Sequence, residues 1–227
     1  MTNAEQLAQY IDHTLLKSDA NEADMIKLCE EAKQYQFYSV CVNGVWVAKC
    51  RELLKGSNVR IAAVVGFPLG ANSSMVKAFE AAKAVEDGAT EIDMVLQIGL
   101  LKAGKLDAVQ EDIAQVVRMV QGKAIVKVIF ETGMLTDDEK ISACRCSEQA
   151  GAHFVKTSTG FGKGGATVED IRLMRAHVSP HIGVKASGGV RDQETALHMI
   201  EAGATRIGAS AGIQIITGDK PAVGGNY

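Results

Sequence analysis

The sequence predicts an α/β protein: a (β/α)8 TIM barrel, formed as a single domain with a short N-terminal helix. Three observations carry this reading. Eight short β-rich runs alternate with amphipathic helical stretches. Most of the runs are apolar on both faces where they begin and polar or Gly-rich where they end, which suits parallel strands covered on both sides. Lys127, Lys156 and Lys185 each follow a valine inside a run and lie 29 residues apart, the length of one strand–helix unit.

The strands are expected in the runs that start at Tyr10, Phe37, Arg60, Thr90, Ala124, His153, His181 and Thr205. Helices are expected over 21–35, 73–87, 105–120, 136–150, 167–177 and 192–202. Gly88, Gly122, Gly151 and Gly203 supply stop signals. Thr136 and Thr167 are candidate N-caps; Glu139 completes a capping box with the first, and Asp170 is a weaker match for the second. A helix-stop, strand-start phrase recurs at 86–90, 149–153 and 201–205. The alternative is an open doubly-wound sheet. That fold usually carries a Gly-rich turn after its first strand, and here Leu15-Leu16-Lys17-Ser18 follows.

No linker or low-complexity segment divides the 227 residues, so one domain over 1–227 is expected, with a flexible Gly-rich tail from about 217 to 227. A composition 47% hydrophobic and 22% charged is that of a globular protein. A net charge of −3 with interspersed signs argues against nucleic acid or an anionic membrane as partner. No apolar run approaches a membrane span, and the N-terminus lacks the pattern of a signal peptide. Five cysteines (Cys29, Cys41, Cys50, Cys144 and Cys146), an odd number, suit a reducing cytoplasm better than a disulfide framework. No metal-ligand spacing stands out.

In a barrel of this class the active site lies at the C-terminal ends of the strands. Lys156 and Lys185 sit late in apolar runs, where a lysine is costly unless it is paired or functional. One reading is that they snorkel or pair with carboxylates. The other places two ammonium groups at matched positions beside one pocket, where like charge and an apolar wall depress a lysine pKa. Bringing it from about 10.4 to about 7 takes roughly 4–5 kcal/mol of differential interaction. A neutral amine there attacks carbonyls and forms an imine, which acts as an electron sink.

Asp93, in the fourth run, is a candidate proton relay and an equally good counter-ion. Asp12 is a second inward carboxylate, with Thr14 two residues on, and Lys127 is expected in a structural ion pair. Gly188 and Gly189 after the seventh run, and Gly208 and Ser210 at the end of the eighth, suggest backbone N–H groups that cradle an anion. Cys41 is core packing by default.

These segments resemble the deoxyribose-phosphate aldolases. The matching runs are Ile11–Leu16, Glu91–Val95, Val128–Thr132, Val155–Phe161 and Val184–Arg191, in order and over essentially the whole chain. The resemblance implies a metal-independent lyase of deoxyribonucleotide and carbohydrate breakdown. Such an enzyme reversibly cleaves 2-deoxy-D-ribose 5-phosphate to acetaldehyde and D-glyceraldehyde 3-phosphate, with no cofactor. It implies Lys156 as the imine-forming residue, Lys185 as the residue that perturbs it, Asp93 as proton donor or acceptor, and the terminal Tyr227 in proton exchange. Asp12, Thr14, Cys41 and Gly160 are further expected to contact substrate.

Two positions depart from the family pattern. Phe161 stands where some members carry a lysine, with Lys163 nearby, and Ser210 is followed by Ala211 rather than a second serine. The expected partners are small phosphorylated sugars and aldehydes and a second copy of the chain in a homodimer. Neither nucleic acid nor membrane is expected. A Schiff-base aldolase for another sugar phosphate, or a sugar-phosphate isomerase or binding barrel whose lysines only neutralise charge, remain the competing readings.

Overall fold

The computed structural model describes residues 4–219. Within them eight parallel strands close into a barrel in sequence order. They are β1 (Ile11–Leu15), β2 (Ser39–Val42), β3 (Arg60–Val65), β4 (Glu91–Val95), β5 (Ile125–Ile129), β6 (Phe154–Lys156), β7 (Gly183–Ser187) and β8 (Arg206–Ala209). Pairing of β1 with β8 excludes the open sheet. The helices are α1 (Ala4–Ala8), α2 (Glu22–Gln34), α3 (Val47–Leu53), α4 (Ser74–Asp87), α5 (Ile98–Lys102), α6 (Leu106–Val120), α7 (Asp137–Gln149), α8 (Val168–Ala176), α9 (Gln193–Glu201) and α10 (Gly212–Thr217).

The six helices expected between strands are all present within a residue of their predicted bounds. Thr136 and Glu139 form the full capping box of α7, whereas Thr167 accepts only the Asp170 N–H at the start of α8. The sequence reading leaves out α3, α5 and α10. Each is short, from five to seven residues, and each buries no more than three side chains, so the helical period never repeats enough to show. Of the predicted tail, Thr217 closes α10, and residues 220–227 lie outside the described residues.

Alternation along each strand sorts the core into two clusters. Outward side chains such as Val40, Ala63, Ile92, Val128, Val184 and Ile207 pack under the helices in one continuous layer. The apolar interior of the barrel is much smaller: Leu16, Cys41, Ala62 and Val64, with Phe67 against them. Charged groups take much of the remaining interior. The lower barrel is filled by Arg206, whose guanidinium lies 3.5 Å from the centroid of the Tyr38 ring and 5.3 Å from that of Phe154. Gly183 makes room for Phe154: a Cβ there would fall 2.1 Å from the ring.

A second buried ion pair lies between helices. Lys77 of α4 and Asp112 of α6 meet at 2.8 Å with both side chains fully buried. Lys77 Nζ also donates to the Val95 carbonyl at 2.8 Å, and Ser74 Oγ donates to Asp112 at 2.7 Å. The pair ties two helices to the end of β4. Asp112→Ala strands a buried ammonium and is expected to cost about 3–5 kcal/mol. Replacing both residues (Lys77→Met with Asp112→Leu) is expected to recover most of that. Chemical denaturation checks both, and an Asp112→Ala protein as stable as the parent contradicts the assignment.

Candidate active site

Seven ionisable side chains form one network inside the barrel. Their placement follows from strand register. Lys156 and Lys185 are direct partners across β6 and β7, as the sequence spacing predicts. Lys127 has the same spacing but not the same height. Across β5 and β6 it is Ile129 that faces Lys156, while Lys127 faces Phe154, so Lys127 lies one inward layer deeper. Asp93 is the register partner of Lys127 on β4, and Asp12 on β1 faces Gly208 on β8.

Asp93 is the hub. Its Oδ2 accepts from Lys156 Nζ and from Lys185 Nζ, each at 2.8 Å, and its Oδ1 accepts from Lys127 Nζ at 2.6 Å. Lys185 also donates to Asp12 Oδ2. Lys127 meets Glu91 at 2.6 Å and Asp12 at 3.7 Å. Arg206 closes the lower end, 2.9 Å from Asp12 and 3.2 Å from Glu91. All seven groups are buried.

The fully buried network has four basic groups and three carboxyl groups; Arg60, 3.8 Å from Glu91, is half-exposed and its charge is screened by solvent. With the carboxylates ionised, charge balances when one amine is neutral. Lys156 is the amine most easily neutralised, because it has a single carboxylate contact and the others each have at least two. The titration directions agree. Burial pushes Lys156 down, Asp93 pulls it back up, and the Lys185 cation pushes it down again; the net result lies below the ordinary lysine value. Burial also opposes the charge of Lys185, yet Asp12 and Asp93 outweigh it and hold Lys185 protonated. Burial disfavours ionised Asp93, but Lys127, Lys156 and Lys185 together hold it far below the usual carboxylate range. In this state Asp93 is ionised and accepts hydrogen bonds from all three lysines.

The loops at the strand ends are stitched by side chain to backbone bonds. Thr157 Oγ1 donates to the Ser187 carbonyl at 2.9 Å and accepts the Ser187 N–H at 3.0 Å. Ser187 Oγ donates to the Ser158 carbonyl at 2.6 Å. Gly188 packs backbone against backbone; a Cβ there would touch Gly165 Cα at 3.2 Å. Both Gly188 and Gly189 have positive φ, 83° and 82°, and a Cβ on Gly189 would face open space. Gly208 is required by Lys185, whose Cε lies 2.9 Å from where a Cβ would stand.

The remaining expected contacts fall as follows. Thr14 is buried one inward step above Asp12, its hydroxyl donating to the Asp12 carbonyl at 2.8 Å. Cys41, the register partner of Thr14, points inward with Sγ 4.0 Å from Asp93 Oδ2. Burial pushes its thiol above the ordinary range. Gly160 lies in the β6–α8 loop with φ 86°, and Ser210 is exposed just before α10. Lys163 is exposed on the same loop as Gly160, and Tyr227 lies outside the described residues.

Sequence reasoning passes over Arg206, Glu91 and Glu131. The first two share parity with Gly208 and Asp93 on their own strands, two residues earlier, so inward alternation was the signal available. Glu131 gives no such signal. It leaves β5 in the left-handed region at φ 58°, and its carboxylate accepts from the Thr159 N–H at 3.4 Å and from the Thr159 hydroxyl.

A family model described as DeoC/LacD family aldolase matches residues 6–218. A deoxyribose-phosphate aldolase of Geobacillus sp. (strain WCH70) is 59% identical over 212 residues, covering 93% of this chain and 95% of the relative. The structure of a putative deoxyribose-phosphate aldolase from Coccidioides immitis is 42% identical with a TM-score of 0.92, covering 95% of this chain and 86% of that one. A deoxyribose phosphate aldolase from Aeropyrum pernix, described as having a unique tetrameric structure, is 34% identical with a TM-score of 0.90, covering 96% of this chain and 92% of that one.

The charge balance predicts how Lys156 responds to its neighbour. Lys185→Met removes one cation, so the site balances with Lys156 protonated and its pKa rises. The neutral fraction at pH 7 then falls, by about tenfold for each pKa unit gained. Reductive methylation with formaldehyde, followed by peptide mapping across pH, is expected to show labelling of Lys156 displaced to higher pH in the variant. Superimposable labelling curves contradict the balance.

Proposed function

The chain belongs to the DeoC/LacD family of aldolases, and from that premise we propose that it reversibly cleaves 2-deoxy-D-ribose 5-phosphate to acetaldehyde and D-glyceraldehyde 3-phosphate through a Schiff base on Lys156. The observation that carries the residue assignment is the shared Asp93 oxygen, 2.8 Å from both Lys156 and Lys185. It places one amine of lowered pKa, one persistent ammonium and one carboxylate at a single point.

Each group has a part in the chemistry. The neutral Lys156 amine attacks C1 of the open-chain sugar and water leaves, giving a protonated imine. A base takes the proton of the C3 hydroxyl while the C2–C3 bond breaks. Its electrons move into the imine, leaving an enamine on Lys156 and releasing the three-carbon aldehyde. Protonation at C2 and hydrolysis of the imine free acetaldehyde and the amine. Asp93, bonded to the Lys185 ammonium, relays protons between that group and the substrate, and Lys185 also supplies the positive charge that favours a neutral Lys156 and an ionised Asp93. The family resemblance assigns Tyr227 to proton exchange at C2.

The phosphate is proposed to rest on backbone N–H groups of the Gly188-Gly189 turn, with Gly160 and the 208–210 segment beside it. The Ser210 hydroxyl is the side-chain contact of that segment. Asp12 serves the site by holding Lys185, and Thr14 and Cys41 line the adjoining wall on β1 and β2. Action in the cytoplasm fits five thiols that are all free and buried. No described helix is long and apolar enough to cross a membrane. For assembly a homodimer is proposed, in contrast to the tetramer described for the Aeropyrum pernix aldolase.

Incubation with acetaldehyde and borohydride tests the assignment. An ethyl group on Lys156 is expected, together with a loss of cleavage of roughly 10⁴-fold or more in Lys156→Leu. Cleavage is expected to persist in a metal chelator. An adduct confined to another lysine, or an active Lys156→Leu protein, overturns the reading.

A further inference from the structure

Strands β3 and β6 stand three places apart in a ring of eight, so the loops that follow them are separated by the barrel mouth. These loops nevertheless touch. Phe161, from the β6–α8 loop, lies edge-on to Phe67, from the β3–α4 loop, with ring centroids 5.3 Å apart and planes at 88°. Phe67 packs in turn on the apolar interior of Leu16, Cys41, Ala62 and Val64. Cys41 is also the residue whose sulfur approaches Asp93 Oδ2, the oxygen to which Lys156 donates. The two rings therefore continue the apolar wall from the level of Asp93 up to the mouth.

Phe161 is held in that place by its backbone. Its N–H donates to Thr159 Oγ1 at 3.0 Å, and that hydroxyl donates to Glu131. Gly162 lies so close to the Glu131 carboxylate that a Cβ would stand 2.7 Å from it. Gly133 likewise meets the Lys163 carbonyl, 2.1 Å from where a Cβ would be. A positive φ at a non-glycine residue such as Glu131 is tolerated only where the surroundings over-determine it. Here that conformation aims its carboxylate at the loop. The result is a fixed segment presenting a phenylalanine that is still 46% exposed. Packing alone does not account for so much apolar surface held toward solvent at this point.

We propose that Phe161 is a positioning residue for the Lys156 amine: with Phe67 it roofs the mouth with apolar surface, limits water at the amine and so keeps it neutral. The inference rests on Lys156 being the imine-forming lysine. Burial is the leading influence that lowers the Lys156 pKa, and Lys185 adds to it. The groups around Lys156 are Asp93 from β4, Lys185 from β7, Cys41 from β2, Lys127 from β5 through Asp93, and Asp12 from β1 through Lys185. Phe161 contributes no charge. Its removal acts through hydration alone: a wetter amine is protonated more easily, and less of it is nucleophilic at neutral pH.

The test compares wild type, Phe161→Ala and Phe161→Leu. Imine formation with acetaldehyde is followed by borohydride trapping over a range of pH, with thermal unfolding confirming that all three are folded. In Phe161→Ala the rising limb is expected to move to higher pH, with trapping at pH 7 reduced about tenfold for each unit of displacement. Phe161→Leu, which keeps apolar bulk, is expected to stay close to wild type. An Ala profile superimposable on wild type overturns the inference. So does a pH-independent loss shared equally by Ala and Leu, since that would mark a packing role. Absence of a Lys156 adduct in wild type would instead defeat the Schiff-base reading itself.

Discussion

Everything at the centre of this molecule depends on one carboxylate in a dry barrel. Asp93 is fully buried and bonded to three lysines, two of them on a single oxygen. Burial of one such charge without partners would cost several kcal/mol, and burial of three ammonium groups without a carboxylate would cost more. The arrangement persists because Asp12 and Glu91 absorb the remaining positive charge of Lys127, Lys185 and Arg206. Lys156 is left with the weakest claim on any acceptor. Desolvation and this unequal distribution of counter-ions together favour release of the Lys156 proton.

The barrel makes that inequality possible. Eight strands converge on one axis, so residues from β1, β4, β5, β6, β7 and β8 meet although they are far apart in sequence. The offset between β5 and β6 then separates the lysines by height. Lys127 is sunk among Asp93, Glu91 and Asp12 and serves as a permanent cation, while Lys156 stands near the strand ends. The supports are equally specific. Gly208 leaves room for Lys185, Gly183 leaves room for Phe154, and Lys77 with Asp112 secures the end of the strand that carries Asp93. The loops above are locked to one another by Thr157, Ser187 and Glu131.

Much of this was legible in the sequence, and the reasons differ by residue. The helices could be read because their apolar periods repeat and some caps are explicit, as at Thr136. Lys156 and Lys185 stood out because charge in an apolar run is expensive. Spacing predicted their pairing correctly, and Lys127 forms the structural ion pairs expected of it, but its greater depth could not be read because inter-strand register is not encoded in spacing. Arg206 begins its strand, where a charge looks like a solvated end, and its burial under Tyr38 arises only when the barrel closes. The contacts of Glu131 and Phe161 were hidden for a related reason: their partners, Thr159 and Phe67, lie in other loops, and loop geometry is set by tertiary contact.

The central claim is that Lys156 is the one neutral amine among the buried basic groups. Its most direct test is a site-resolved titration of the lysine side chains by NMR, with carbon-13 at Cε and assignment by Lys127, Lys156 and Lys185 variants. The account predicts that Lys156 loses its proton below the ordinary lysine value of about 10.4, while Lys127 and Lys185 remain protonated beyond it. Lys156 titrating at or above the ordinary value, or Lys185 releasing its proton first, would contradict it.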